Sequence, residues 1–295
     1  MSVKVAYLGP AGTFSEEALR SAAGGDGYEP VAVATIAAVI AAVDSGTADL
    51  GLVPIENSIE GSVRATLDSL APASVGVAII GEYAHVVSPS LIGRPGEFDR
   101  FTDVFSHPQP LAQCNRFLAE RLPNAKLHET ASTAEGARLV GENPGRPWVA
   151  VAPSTAAELY GLEVLAEGIA NSNDNVTRFV WIARSEGLGK PEAPASTEWR
   201  TTLVFAELGA DHPGALVDAL GVFAARDVNL TRIESRPAHH VNGDKFTSYM
   251  FFIDVEGGLD EPAIAEAVDD LRSHASSVKV LGSYPVGVPG LPPLG

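Results

Sequence analysis

From Val3 to Arg184 the chain repeats one pattern: a short apolar run, a knot of small polar residues, then an apolar stripe at helical spacing. KVAYLG leads into PAGTFS and a helix predicted over 16–23. ADLGLV leads into PIENSIEGS and a helix near 63–70. TDVF leads into SHPQ and a helix over 111–122, and WVAVA leads into PST and a helix at 156–160. Strands alternating with helices predict a mainly parallel sheet, and in such sheets ligands sit beyond the carboxyl ends of the strands, where most of the polar knots fall. The long apolar stretch 75–93 predicts a crossing between two lobes. TRFVWIAR, 177–184, predicts the return crossing, which places a cleft at the hinge.

Residues 185–199 are rich in Gly, Pro and Ser and read as a linker. Beyond them the order becomes strand, helix, strand, strand, helix, strand: RTTLVFAEL, HPGALVDALGVFAARD with Pro213 in its first turn, NLTRIESRP, KFTSYMFFIDVEG, EPAIAEAVDDLRSHA and VKVLGSYP. That order matches a ferredoxin-like sandwich. PVGVPGLPPLG reads as a flexible tail over 285–295.

A length of 295 residues suits two or three compact units, and 45% hydrophobic content indicates well-buried cores. The 20 basic side chains are outnumbered by 37 acidic ones, a formal charge of −17, which argues against nucleic-acid binding. An anionic ligand would need a locally positive pocket. Cys114, the single cysteine, forbids an intrachain disulfide and any multi-thiolate metal site, and it falls on the apolar face of its predicted helix. The N-terminus has no signal-peptide pattern and no apolar run could span a bilayer, so the chain reads as cytoplasmic, without a membrane partner.

Each polar motif has a plain alternative. GPAGTFSEEA opens a helix whose amides favour an anion, or is simply a tight turn. Glu56, Asn57 and Ser58 follow a buried strand, as reactive groups or as an Asx-type turn. Ser106, His107 and Gln109 start a helix, where a histidine commonly caps. Ser132 and Thr133 sit at another helix start, where capping holds whatever else they do. In NDNVTRF, Arg178 is a positive fork suited to a carboxylate and Thr177 a hydroxyl at a strand entrance; alternatively the loop is tied by asparagines and Arg178 pairs with an acid. His239 and His240 read as solvent-exposed. No Ser-His-Asp elbow, metal-ligand cluster or phosphate loop is present.

Together GPAGTFSEEA, VPIENSIEGSV, SHPQPLAQC, NVTRF, GALV and ESRP occur in the order seen in prephenate dehydratases, and the chain resembles that family from Val3 to about Pro285. The resemblance implies a two-lobed α/β catalytic region like type II periplasmic binding proteins, over 1–184. Lobe one spans about 1–80 with 178–184 and lobe two about 81–177. It also implies an ACT regulatory domain over 200–284. The segment AHHVNGDKFTS is a few residues longer than usual for the family, and no chorismate mutase segment precedes Met1, which implies the monofunctional form.

The implied reaction removes water and carbon dioxide from prephenate to give phenylpyruvate, with no metal or cofactor. Thr177 is the essential hydroxyl, with Arg178, Glu56, Asn57, Ser58 and His107 as its catalytic companions and Glu56 or His107 as candidates to reprotonate it. Thr13, Ser106, Gln109, Ser132, Thr133, Asn171 and Phe179 would bind substrate. Gly214, Ala215, Leu216, Val217, Asn229, Glu234, Ser235, Arg236 and Pro237 would bind L-phenylalanine as effector across a subunit interface, in a homodimer or homotetramer. Two other readings stand beside this one: an arogenate dehydratase, and a non-enzymatic two-lobed sensor of small molecules.

Overall fold

Three sheets carry the chain in a computed structural model that describes residues 2–25, 27–172, 174–189, 191, 193–194, 196–208, 213–238 and 249–292. The first elements are β1 (Val3–Leu8), α1 (Phe14–Ala23), β2 (Tyr28–Val33), α2 (Ile36–Asp44), β3 (Leu50–Asn57), β4 (Gly61–Ser62), α3 (Arg64–Leu70) and β5 (Val77–Val86). There follow β6 (Ser90–Gly93), β7 (Asp103–Ser106), α4 (Pro108–Gln113), α5 (Asn115–Arg121), β8 (Lys126–Glu129), α6 (Thr133–Glu142), β9 (Trp148–Ala152), α7 (Ser154–Leu159), β10 (Glu163–Ala166) and β11 (Val176–Arg184). The last are β12 (Trp199–Leu208), α8 (Ala215–Ala224), β13 (Leu230–Pro237), β14 (Tyr249–Glu256), α9 (Pro262–His274) and β15 (Ala275–Pro285).

The sheet orders are β2-β1-β3-β11-β5 with β4 beside β3, then β10-β6-β9-β7-β8, then β13-β14-β12-β15. The first two are mixed, which corrects the expected mainly parallel sheet. β1 pairs β2 and β3 in parallel, and β7 pairs β8 and β9 in parallel, but β11 runs antiparallel to β3 and β5, and β6 to β9 and β10. The physical reason is the crossing itself: the strand that arrives from the other lobe, β11 in the first sheet and β6 in the second, runs against the strands of the βα units, whereas β5, which leaves, runs with them. The first crossing lies later than expected and the return lies earlier. β5 stays in the first sheet to Val86 and β11 enters it at Val176, so Thr177 belongs to the first sheet and not to the second lobe.

The helix expected over 111–122 is α4 and α5, broken at Cys114, whose φ is −109°. Asn171 stabilises the break: its Nδ2 donates to the Ala112 carbonyl at 3.3 Å and its Oδ1 accepts from the Arg116 amide at 3.1 Å. Cys114 is fully buried with Leu111 and Leu118, and burial pushes its thiol up to about 12.

The third sheet is antiparallel with the expected ferredoxin-like order. Helices α8 and α9 cover one face, around Leu203, Phe205, Phe223, Ile253 and Leu271. The other face gives Val204, Phe252, Leu281 and Tyr284 to a core shared with Ile79, Val180 and Ile182 of the first sheet. The tail, expected to be flexible, lies on the first sheet through residue 292: Leu291 packs beside Trp181, and the Gly290 amide donates to Ala22 at 3.0 Å. Its prolines leave few amides to satisfy, so an irregular segment can rest on apolar surface. The histidines at 239 and 240 and the long segment after them lie outside the described residues. Among those described, no helix is long and apolar enough to cross a membrane.

Gly282, at a bulge in β15, touches β5 so closely that a Cβ there would lie 2.1 Å from the Ile79 carbonyl oxygen. Gly282→Ala should therefore cost about 1–3 kcal/mol of stability by overpacking. A denaturant midpoint equal to that of the unaltered protein would show that the two sheets have slack between them.

Candidate functional site

Strand β11 divides the molecule by its alternation. Thr177, Phe179, Trp181 and Ala183 face α1, and Phe179, Trp181 and Ala183 join one core with Leu19, Leu50 and Leu52. Arg178, Val180 and Ile182 face the other way, toward α2, α3 and the third sheet, where Val180 and Ile182 are buried. The two neighbours that sequence reading placed in one site thus sit on opposite faces.

Thr177 is 9% exposed and stands in a row across three strands, paired with Asn57 of β3 and His85 of β5. Asn57 Nδ2 donates to Thr177 Oγ1 and to Asn175 Oδ1, both at 2.8 Å, while Asn57 Oδ1 accepts from the amides of Ile59 and Glu60. Asn175 Nδ2 donates in turn to Gln113 Oε1 at 3.1 Å. Because Thr177 Oγ1 is an acceptor toward Asn57, its own proton is free to point elsewhere. On the far side of the row, His85 Nε2 lies 3.1 Å from Glu17 Oε2 of α1, and Ser154 of the second lobe donates to Glu17 Oε1 at 3.5 Å. His85 and Glu17 are the titratable pair on the Thr177 face, and the sequence reading missed both. Strand pairing brings His85 there and the packing of α1 on the sheet brings Glu17, and no local motif announces either.

A cavity of about 660 Å³ lies between the lobes. The N-termini of α1 and α6 open onto it through Thr13, Phe14 and Ser15 on one side and Ser132 and Thr133 on the other. His107 and Gln109 form a third wall, and Arg138 and Tyr160 close it. Thr13, whose hydroxyl donates to the Pro10 carbonyl at 3.0 Å, leaves the α1 amides without a side-chain cap. Ser132 Oγ caps α6 by accepting from the Glu135 amide at 3.1 Å. A second cavity of about 530 Å³ adjoins it at Gln109 and is lined also by Gln113, Asn171 and Asn175. Helix amides and one exposed arginine suit a small anion, and the hydroxyl row joins this space through Asn175, which lines the second cavity and accepts from Asn57.

Other predicted residues are placed differently. Ser106 is fully buried, with Oγ donating to the Val151 carbonyl at 2.5 Å, so it stiffens the second sheet and lines neither of these two cavities. His107 caps α4, its Nδ1 accepting from the Gln109 amide at 3.3 Å. Ser58 ties its turn to the loop before β11, donating to Asp174 O at 2.7 Å and accepting from Val176 N at 3.0 Å. Asn171 is held by the α4–α5 break. Phe179 is core.

Arg178 offers no free fork. Its guanidinium meets Asp254 Oδ2 of β14 at 2.6 Å, Glu82 of β5 at 3.1 Å and Glu56 of β3 at 3.2 Å. Glu56, expected beside Thr177, is therefore on the opposite face. Asp254 also takes Arg232 at 2.9 and 3.1 Å and the Thr202 hydroxyl at 2.8 Å, and Arg200 of β12 pairs with Glu82. Burial alone would push the Asp254 carboxyl up. The hydrogen bonds and charge of Arg232, with the charge of Arg178, hold it down at about 2. Burial works against the Arg178 charge as well, and Asp254 and Glu82 more than compensate.

At the C-terminal end, α8 begins at Ala215 with Gly214 as its N-cap at φ +105°, a conformation suited to glycine; Pro213, expected in the first turn, precedes it. The ends of β12 and β13 reach the same end of the third sheet, level with Met250 of β14 through Ala206 and Arg236. Val217 is exposed, Leu216 packs into the core under α8, and Asn229, Ser235, Glu234 and Pro237 are exposed or half-buried. Arg236 is engaged: it grips Asp68 of α3 at 3.0 and 2.6 Å.

Residues 5–187 match the prephenate dehydratase family and 202–273 the ACT domain. A prephenate dehydratase of Mycolicibacterium vanbaalenii is 40% identical, the match covering 96% of this chain and 91% of that protein. Among solved structures, prephenate dehydratase from Arthrobacter aurescens in complex with L-Phe is 37% identical with TM-score 0.84, covering 98% of this chain and 92% of that one. The quorum-quenching acylase GqqA is 33% identical with TM-score 0.82, covering 96% and 98%.

The depressed carboxyl of Asp254 makes stability depend on acid. Its folded value is below its ordinary 3.8, so its contribution is complete above about pH 4 and lost as pH falls through about 2. The stability gap between the unaltered protein and Asp254→Asn should narrow by roughly 2 kcal/mol from pH 5 to pH 2. Urea unfolding at the two pH values measures it, and an unchanged gap would contradict the assignment.

Proposed function

The chain belongs to the prephenate dehydratase family, and from that membership we propose how its residues convert prephenate to phenylpyruvate, a carbon–oxygen lyase reaction of L-phenylalanine biosynthesis. The catalytic region is 1–184 and the ACT domain 200–284. The observation that carries the mechanism is the Asn57–Thr177 hydrogen bond. An amide N–H donating to Thr177 Oγ1 at 2.8 Å leaves the threonine proton for the departing ring hydroxyl. Loss of that hydroxyl with carbon dioxide makes the ring aromatic, which drives the reaction. The two substrate carboxylates are met by the α1 and α6 amides and by Arg138, while Gln109 and Asn175 line the path toward Thr177. An alcohol is a weak acid, so Thr177 donates a positioned hydrogen bond or relays a proton. The titratable pair on its face is His85 with Glu17.

The likeness to an acylase is not carried over. Acyl transfer needs a nucleophile paired with a base. The partner of Thr177 Oγ1 is a carboxamide, which cannot take its proton, and Ser154 Oγ stands 3.5 Å from Glu17, too far for a nucleophile activated by its base.

Prephenate incubated with the protein should yield phenylpyruvate, read by its absorbance in base, at a rate unchanged by exhaustive chelation. Thr177→Ala should lower kcat by roughly 10²–10⁴ with modest change in KM, and Thr177→Ser should keep much of the activity. Two equally dead, well-folded variants would shift the role from the hydroxyl to the methyl packing. A faster turnover of arogenate than of prephenate would reassign the substrate.

The ACT domain is read as the site of L-phenylalanine, with the effector carboxylate on the amides at Gly214, Ala215 and Leu216 and with Glu234 and Ser235 of ESRP completing the site from a partner subunit in a cytoplasmic dimer or tetramer. Support comes from the ends of β12 and β13, which lie level on either side of Met250, the first preceding GALV and the second including ESRP, and from the relative solved in complex with L-Phe. Calorimetry with millimolar L-phenylalanine should give heat; silence in a sample active on prephenate would mean that the domain senses another molecule.

A further inference from the structure

Arg178 directly follows Thr177, so one peptide unit links its guanidinium's anchorage to the reacting hydroxyl. Two of its carboxylates, Glu56 and Glu82, belong to the sheet that carries Thr177, but the third and nearest, Asp254 at 2.6 Å, belongs to the ACT sheet. Asp254 is 1% exposed and is shared with Arg232 of β13, the strand that ends in ESRP. The same strand is tied a second time to the first lobe. Arg236 holds Asp68 of α3, and Thr66 of α3 donates to the Pro54 carbonyl in β3, the strand of Asn57. Both partners of the reacting hydrogen bond therefore hang on the strand β13, one through Asp254 and Arg178, the other through α3. Little movement can be absorbed between the sheets, because Gly282 sits directly on Ile79.

We propose that Arg178 is a positioning residue, anchored by Asp254 instead of holding a substrate carboxylate, and that this bridge carries the state of the ACT domain to the Thr177 hydroxyl. The proposal rests on the reading of the cleft as a prephenate site and of the ACT domain as an L-phenylalanine site. An effector acts only by favouring one of two states. Here the states differ in where the Asp254 carboxylate holds the planar fork, and with it the register of β11 against Asn57. A fork meeting carboxylates from three strands fixes direction as well as distance; a lysine in its place is a single point charge and does not.

The test uses the full-length protein, Arg178→Lys and Asp254→Asn, with kcat and KM on prephenate measured with and without millimolar L-phenylalanine, and L-phenylalanine binding followed by calorimetry. Both variants should lose about tenfold or more in kcat with KM within about threefold. They should still bind L-phenylalanine, and the amino acid should no longer change their rate. Arg178→Lys keeps the charge and decides the matter if Asp254→Asn fails to fold by circular dichroism. An Arg178→Lys enzyme with raised KM, full kcat and an intact phenylalanine response would overturn the proposal and restore Arg178 to the substrate. Variants with unaltered kinetics and response would overturn it as well, leaving the functional reading in place. An unaltered protein that neither turns over prephenate nor binds L-phenylalanine would sink that reading and the bridge with it.

Discussion

The structure depends on the two-residue period of β11. That strand lies in the interior of the first sheet between β3 and β5, and each of its faces is covered by a different body. Toward α1 it offers Thr177 and then Phe179, Trp181 and Ala183. Toward the ACT sheet it offers Arg178 and then Val180 and Ile182. A slip of one residue would send the hydroxyl to the regulatory sheet and the guanidinium into the cleft side, and would exchange a tryptophan for a valine in both cores. Register is therefore fixed by apolar packing over the length of the strand, and the polar pair at its entrance inherits that precision.

The ionic cluster behind Thr177 is a costly way to join two sheets. Three arginines, at 178, 200 and 232, meet the three carboxylates of Glu56, Glu82 and Asp254. Charge balances, but desolvation of buried ions commonly offsets their attraction, so well-packed apolar residues would hold the sheets equally well. What the ions add is direction. An apolar contact tolerates sliding, whereas a guanidinium shared between fixed carboxylates does not. The surrounding core of Ile79, Phe252, Leu281 and Tyr284 provides adhesion, and the ions set the alignment.

Much of this was legible in the sequence. Apolar runs alternating with helical stripes pointed to the two lobes and the ferredoxin-like order, because those features depend on local period. Helix starts at His107 and Ser132 were legible for the same reason, while the first helix begins at Phe14 and not at Glu16. Partner identity across the sheets was not. Nothing near Arg178 says that Asp254 will reach it, and nothing near Thr177 announces His85. Arg138 looks like an ordinary surface residue of α6 until the fold closes the cavity around it. The break at Cys114 was hidden as well, since apolar spacing continues through it and the cause is Asn171, far along the chain. The packing of the proline-rich tail beside Trp181 was not legible, because composition reports the lack of a core of its own, not the presence of a surface to rest on.

Two arginines could in principle hold an anionic substrate in this acidic protein, and burial separates them. The Arg138 side chain is 43% exposed and its partner Glu142 is 58% exposed, an ion pair screened by water and readily exchanged. An incoming carboxylate can take the place of Glu142 at little cost, with the helix amides of α1 and α6 beside it. The Arg178 side chain is 14% exposed and its partners Glu82 and Asp254 are 8% and 1% exposed. Pulling it off a buried carboxylate would cost about 3–5 kcal/mol, since the abandoned charge has no water to receive it. A ligand would have to supply that energy before gaining anything from the new contact. Affinity for the substrate is thus best placed on the exposed arginine, whose partners are replaceable, and alignment on the buried one, whose partners are not.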